Sequence, residues 1–248
     1  MKLCFDISNM NNWRKTMQKH YDTILKSPLF TGISSDNLEH ILTCFDISPQ
    51  TLPADSYVFF QQDQVNFIYI ILTGSIEIIK ETFSGSRHII ALLGPSHLFG
   101  EGIVCTKHRL SPVSVRTKEI TTLLKFPYQK IMTPCQNICG FHSTLIFNMM
   151  LLLGEKNYGL NQKIEILMLK GMKEKIATYL LSERQKHGQD NFDIPMNRNE
   201  LADYLNVSRP SMSRELSKMQ ALGLLSYHKN HFNLLDVDEL VECVEDID

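Results

Sequence analysis

Two arginines, Arg209 and Arg214, stand in the run VSRPSMSRELSKMQALG at positions 207–223, together with Ser208, Ser211, Ser213 and Lys218. The chemistry open to this set is recognition of nucleic acid. A guanidinium presents a rigid fork of donors that fits the two acceptors of guanine in the major groove, worth about 1–3 kcal/mol of discrimination. Groups that reach only phosphates position a protein without reading sequence. Arg214 is the expected base reader. Ser208, Arg209 and Lys218 are expected on phosphates, and Ser211 and Ser213 complete the exposed face. The alternative, ordinary solvated charges on a surface helix, does not account for the ordered pattern around them.

A second constellation is Cys135, Cys139 and His142, which form C-x3-C-x2-H. On a helix this spacing puts three metal-capable groups on one face. It is not the common zinc spacing, and two small hydrophobes sharing a packed stripe with a histidine is the other reading. No metal ligand is assigned. No Ser/His/Asp order, phosphate loop or HExxH occurs, so no catalytic residue and no enzymatic activity are expected.

The elements that must position the arginines are legible around them. In region 172–235, MKEKIATYLLSERQKHG reads as an amphipathic helix stopped by Gly188, and NFDIPM as a short strand. N-R-N-E at 197–200 is a capping pair opening the helix RNELADYL. Ser208 caps the next helix, with Pro210 tolerated in its first turn. Leu201, Ala202, Leu205, Val207, Met212 and Leu216 are the expected buried set of a helix-turn-helix. GLLSYHKNHFNLLD, turning at Lys229-Asn230, adds a hairpin as a wing.

Upstream, region 140–171 reads as a long helix. Steps of four and three from Ile146 give Met150, Leu153, Asn157, Leu160, Ile164 and Leu167, an apolar seam with one polar member. This predicts a dimer in which Asn157 fixes register; the alternative is a helix packed on the body of its own chain. Region 46–139 carries the β-rich runs YVFF, FIYIIL, SIEIIK, HIIALL, SVRT and TTLLKF, broken at Gly74, SGS 84–86, GPS 94–96 and FGEG 99–102. Such spacing predicts an antiparallel barrel or jelly roll. Region 1–45 is helical, with Ser34 or Ser35 capping a helix that turns Leu38, Ile41 and Leu42 inward. The acidic tail 236–248 predicts a short helix packed on the winged domain, or alternatively a partner-binding or self-inhibitory segment.

A net charge of −2 offers no global field for nucleic acid or membrane, so any such partner must be read locally. Six scattered cysteines fit reduced thiols, and the sequence shows neither a signal-peptide core nor an apolar run that spans a bilayer. A cytoplasmic protein without a membrane partner is expected.

From Ile24 to Leu235 the chain resembles the Crp/Fnr transcription regulators, in ILKSPLFTGISSDNLEHIL, FIYIILTGSIEII, FGEG and NRNELADYLNVSRPSMSRELSKMQALGLL. The resemblance implies an α+β fold: an antiparallel β-roll of the cyclic-nucleotide-binding or cupin-like jelly-roll kind, a central dimerisation helix and a C-terminal winged helix-turn-helix. It implies a bacterial homodimer that binds double-stranded DNA at a palindromic operator, answers to a small-molecule effector and contacts RNA polymerase. Arg209 and Arg214 match the family's two arginine positions, and Ser213 a serine used by one branch. Pro210 stands where many members carry a base-reading glutamate, so their half-site is not carried over.

The sensor side departs from the pattern. Cyclic-nucleotide binders follow the Gly-Glu pair, here Gly100-Glu101, with Arg-Ser-Ala; the same place here reads Ser111-Pro112-Val113, with Arg109 two residues early. The effector implied is therefore not cyclic AMP. An N-terminal iron-sulfur cluster is not implied either, since only Cys4 stands there. Haem or nitric oxide sensing, known among relatives, leaves His88, His97, His108 and His142 as candidate ligands with nothing to single one out, and the cofactor stays open. The effector is expected near Gly100, Glu101, Arg109 and Ser111, beneath Asn157 and Asn161. A sensor module acting through protein partners is the alternative. The family's glycine before the FIYIIL strand is replaced by Gln62 or Asp63, which predicts a strained turn.

Overall fold

The computed structural model describes residues 17–82, 86–133 and 140–245. They divide into two units, the first running to Glu155 and the second from Lys156, each with its own hydrophobic core.

In the first unit the β-rich runs pair into two four-stranded sheets. One has the order β1 (Pro49–Leu52), β8 (Thr121–Pro127), β3 (Phe67–Thr73), β6 (Leu98–Phe99). The other has the order β2 (Tyr57–Phe59), β7 (Ser114–Thr117), β4 (Ile76–Glu81), β5 (Arg87–Leu93). Every pairing is antiparallel, as the spacing of short strands predicts. Strand β3 is buried without interruption from Ile68 to Leu72, so it carries no polar alternation. On one side Tyr69 meets Phe59 of the other sheet, ring centroids 5.9 Å apart. Helices α1 (Tyr21–Leu25) and α3 (Glu101–Val104) also contact β3. Gly74 turns the chain from β3 to β4 at φ 82°, where a Cβ would lie 2.5 Å from the Ile120 carbonyl. The strained turn before β3 falls on Gln62, at φ 75°, and its amide donates to the Ser111 carbonyl at 2.7 Å.

Helix α2 (Ser35–Cys44) is capped by Ser34, whose side chain accepts from the Asn37 amide, and it buries Leu38, Ile41 and Leu42. Helix α4 (Tyr128–Met132) follows β8. Helix α5 (Gly140–Met168) then runs for 29 residues. It packs on its own chain through a stripe that includes Leu145, Met149 and Leu152, all in the first core. Asn148 on the same side donates to the carbonyls of Leu29 and Thr31 at 3.0 and 2.8 Å. The heptad seam is a different stripe. Met150, Leu160 and Ile164 are 67, 63 and 54% exposed, Leu167 and Asn157 are exposed, and Ile146 and Leu153 are half-buried. Helix α5 thus packs on its own chain through one stripe, which Leu153 of the seam also joins, and leaves most of the heptad stripe exposed.

The second unit holds the rest of α5, then α6 (Met172–His187), β9 (Asn191–Asp193), α7 (Arg198–Leu205), α8 (Arg209–Ala221), β10 (Leu225–His228), β11 (His231–Leu234) and α9 (Val237–Glu245). Gly188, at φ 67°, closes α6 as its position in the sequence predicts. The isolated strand joins the wing: β9 pairs with β11, making a three-stranded antiparallel sheet in the order β10-β11-β9. Leu201, Ala202, Leu205, Met212 and Leu216 are buried, while Val207 is only half-buried at the turn. The acidic tail forms α9, which contacts α6 and buries Leu240. Among the described residues no helix is long and apolar enough to cross a membrane.

Candidate nucleic-acid interface

Local side-chain chemistry fixes both helices of the α7–α8 pair at their starts. Asn197 Oδ1 accepts from the amides of Asn199 and Glu200 at 2.9 and 3.1 Å, and Glu200 Oε2 accepts from the Asn197 amide at 2.7 Å. The turn is made by Asn206 at φ 53°, a left-handed conformation that asparagine tolerates. The Val207 amide then donates back to the Ala202 carbonyl at 3.0 Å.

Ser208 caps α8. Its Oγ accepts from the Ser211 amide at 3.3 Å, and its hydroxyl donates to Ser211 Oγ at 2.7 Å. Arg214 Nη2 in turn donates to Ser211 Oγ at 3.3 Å. These three residues, spaced at three, lie along one helix face, so Ser211, itself half-buried and not exposed as expected, aims the guanidinium. Arg209 and Arg214 are exposed, and Ser213 is half-buried. Lys218 pairs with Glu215 at 3.5 Å, a surface contact of little energy that a phosphate could replace. Ser208→Ala is expected to cost about 0.5–2 kcal/mol of stability, read as a lower urea midpoint with an unchanged denaturant slope.

The wing ends in the two-residue turn Lys229–Asn230, with Lys229 at φ 52° and both His228 and Lys229 exposed. The sequence marks Lys229 as a turn residue only. The structure places it as an exposed cation at the tip of the hairpin that follows α8.

In the first unit, Gly100 sits at φ 89°, and a Cβ there would lie 2.9 Å from the Phe67 carbonyl and 3.8 Å from Val65 Cγ1. Glu101 is buried. Arg109, half-buried and at φ 55°, accepts from the Val65 amide at 2.8 Å through its carbonyl, so Val65 neighbours both Gly100 and Arg109. Ser111 is fully buried; its hydroxyl donates to the Val113 carbonyl at 2.6 Å and accepts from the Val113 amide at 3.3 Å. That hydroxyl is spent on its own turn. Asn157 and Asn161 belong to the second unit, where both are exposed and Asn161 lines a groove with Tyr158, Thr178 and Ser182.

Of the candidate histidines, His142 is buried, with Nε2 3.2 Å from the Lys130 carbonyl and its ring against Phe45 and Phe141. Cys135 and Cys139 lie outside the described residues. His97 Nδ1 is 3.2 Å from the Gly94 carbonyl, and His88 and His108 are exposed. Among the described residues no group of three or more histidine, cysteine, aspartate or glutamate side chains clusters as a metal site.

Two family models match the chain. Residues 49–137 match the cyclic nucleotide-binding domain and residues 174–243 the Crp-like helix-turn-helix domain. The transcriptional activator protein anr of Pseudomonas aeruginosa is 26% identical over 194 residues, 76% of this chain and 77% of the relative. The cyclic AMP receptor protein of Thermus thermophilus is 24% identical over 203 residues, 80% of this chain and 88% of the relative. Among solved structures, the Thermus thermophilus catabolite activator protein superposes with a TM-score of 0.50 at 22% identity, covering 90% of this chain and all of that one.

Proposed function

Because the chain belongs to the Crp/Fnr family of DNA-binding transcription regulators, we propose that it acts as a homodimer whose two α8 helices read the half-sites of a palindromic operator under the control of a small effector. The observation that carries this reading is the capped start of α8, where Ser208 and Ser211 hold Arg214 toward solvent beside Arg209. Arg214 reads a base, Arg209, Ser208 and Lys218 hold phosphates, and Ser211 and Ser213 border the same face. The seam Ile146, Met150, Leu153, Asn157, Leu160, Ile164 and Leu167 joins two copies, since a row of exposed apolar side chains on one helix is costly unless covered.

In the working protein, residues 46–139 sense, 140–171 pair the subunits and 172–235 bind DNA, in the cytoplasm and in contact with RNA polymerase. The effector acts at the segment containing Gly100, Glu101, Arg109 and Ser111, with Asn157 and Asn161 as contributors from the helix. We read it as other than cyclic AMP, because Pro112 and Val113 carry no charge for a phosphate and the Ser111 hydroxyl donates to the Val113 carbonyl. Arg116, the next arginine along the chain, is paired with Glu77 at 2.8 Å. An effector shifts the dimer only by as much as it prefers one arrangement over the other.

The test is selection of duplexes from a random pool by the native protein, followed by titration of the winners. Two related half-sites one helical turn apart are expected. Arg214→Ala is expected to lose about 1–3 kcal/mol of discrimination, roughly 5- to 150-fold, at one base pair per half-site while non-specific binding changes little. Full discrimination in that variant would remove Arg214 from base reading, and a pool that yields no enriched sequence would remove the regulator reading altogether.

A further inference from the structure

Arg198, the first residue of α7, has a guanidinium whose Nη1 and Nη2 are both buried and, among the described residues, without a hydrogen-bond partner. Its Cζ lies 4.6 Å from the ring centroid of Tyr227 and 4.8 Å from that of Phe232. Those two residues face each other across the wing, one on β10 and one on β11, with ring centroids 5.9 Å apart. Burial lowers the Arg198 pKa, and its place at the positive end of a helix is also unfavourable for a cation.

A buried cation with unsatisfied donors is costly, and aromatic faces recover only part of that cost. Direct service as a DNA contact does not account for it, because Nη1 and Nη2, the donors at the tip of the guanidinium, are covered. What the guanidinium touches is more informative. It bears on both strands of the wing at once, so it restrains the hairpin from rolling about its own axis. One of its two rings is also tied to the recognition helix, since Tyr227 Oη lies 3.4 Å from Ser217 Oγ on α8. Arg198 is thus the point at which α7, the wing and α8 are held in one arrangement.

We propose that Arg198 is a positioning residue that holds the wing so that Lys229 meets a phosphate of the half-site α8 reads. The inference rests on the DNA-binding function above and assigns the wing's placement to a guanidinium that itself does not touch the duplex. A lysine at 198 keeps a cation over the rings and preserves the placement; methionine or glutamine leaves the rings without one.

The experiment uses the full chain and a duplex of about 30 base pairs enriched from a random pool by the native protein, titrated by fluorescence anisotropy over a series of KCl concentrations. Each protein–phosphate contact contributes about 0.9 to the slope of log K against log salt, so losing one contact per subunit reduces the slope by about 1.8 in a symmetric dimer. K229A and R198M are each expected to show that loss, the double variant no more than either alone, and R198K the native slope. R198Q replaces R198M if circular dichroism shows the latter unfolded. A purely structural role would lower the active fraction and the apparent affinity while leaving the slope unchanged, so a native slope in R198M or R198Q overturns the inference. Additive losses in the double variant, or a native slope in K229A, overturn it too. If the native protein binds no duplex, the regulator reading falls and this inference with it, whereas native binding with an unchanged R198M slope removes this inference alone.

Discussion

Leu160→Glu combined with Ile164→Glu is expected to give a folded monomer whose affinity for its selected operator is lower by on the order of 10²- to 10⁴-fold, the advantage that linking two binding events confers. Both side chains are more than half exposed in the single chain, at 63 and 54%, and neither belongs to the core of either unit, so the substitutions remove little of what holds one subunit together. In a pair of helices joined along the seam they bring four carboxylates into an apolar contact, where an unpaired charge costs several kcal/mol. Sedimentation equilibrium reads the first consequence and anisotropy on the operator the second. A variant that remains dimeric with native affinity would place the interface elsewhere.

Inserting half a helical turn, about five base pairs, between the half-sites is expected to weaken binding by about 10³-fold or more, to what a single half-site supports. The insertion rotates one half-site to the opposite side of the duplex. One recognition helix then faces water, and the dimer retains only contacts with phosphates and a single set of base edges. A full-turn insertion restores the facing but lengthens the separation, so its recovery measures how far the two α8 helices can spread. Equal affinity for all three spacings would mean that the subunits bind independently.

What was legible in the sequence was local. Ser34, Asn197, Ser208 and Gly188 mark helix ends by chemistry confined to a few neighbouring residues, and the structure has those ends. Lys229-Asn230 marks a hairpin in the same way. Strand β1 escaped notice because Pro49–Leu52 is half-exposed and lacks alternation, pairing with β8 only after the chain has returned. Strand β6 is two residues long, and the short helix α3 is opened by the left-handed Gly100 with no periodicity of its own to announce it. The role suggested for Arg198 was invisible for a related reason. An arginine beside a helix cap reads as a solvated charge, and only the pairing of residues 227 and 232 across the wing supplies its two aromatic neighbours. In the first unit the sequence marks Gly100 and Glu101 as a pair, but Ser111 spends its hydroxyl in a turn that no spacing rule reveals.

The first turn of α8 has few main-chain donors left for a ligand. Pro210 has no amide hydrogen, the Ser211 amide is taken by Ser208 Oγ and the Met212 amide by the Ser208 carbonyl. A phosphate arriving there meets at most the Arg209 amide. Its grip must come from flexible side-chain tips rather than from a rigid cradle of peptide groups, which makes the hold on DNA tolerant of small misalignments and easily loosened by competing ions in solution.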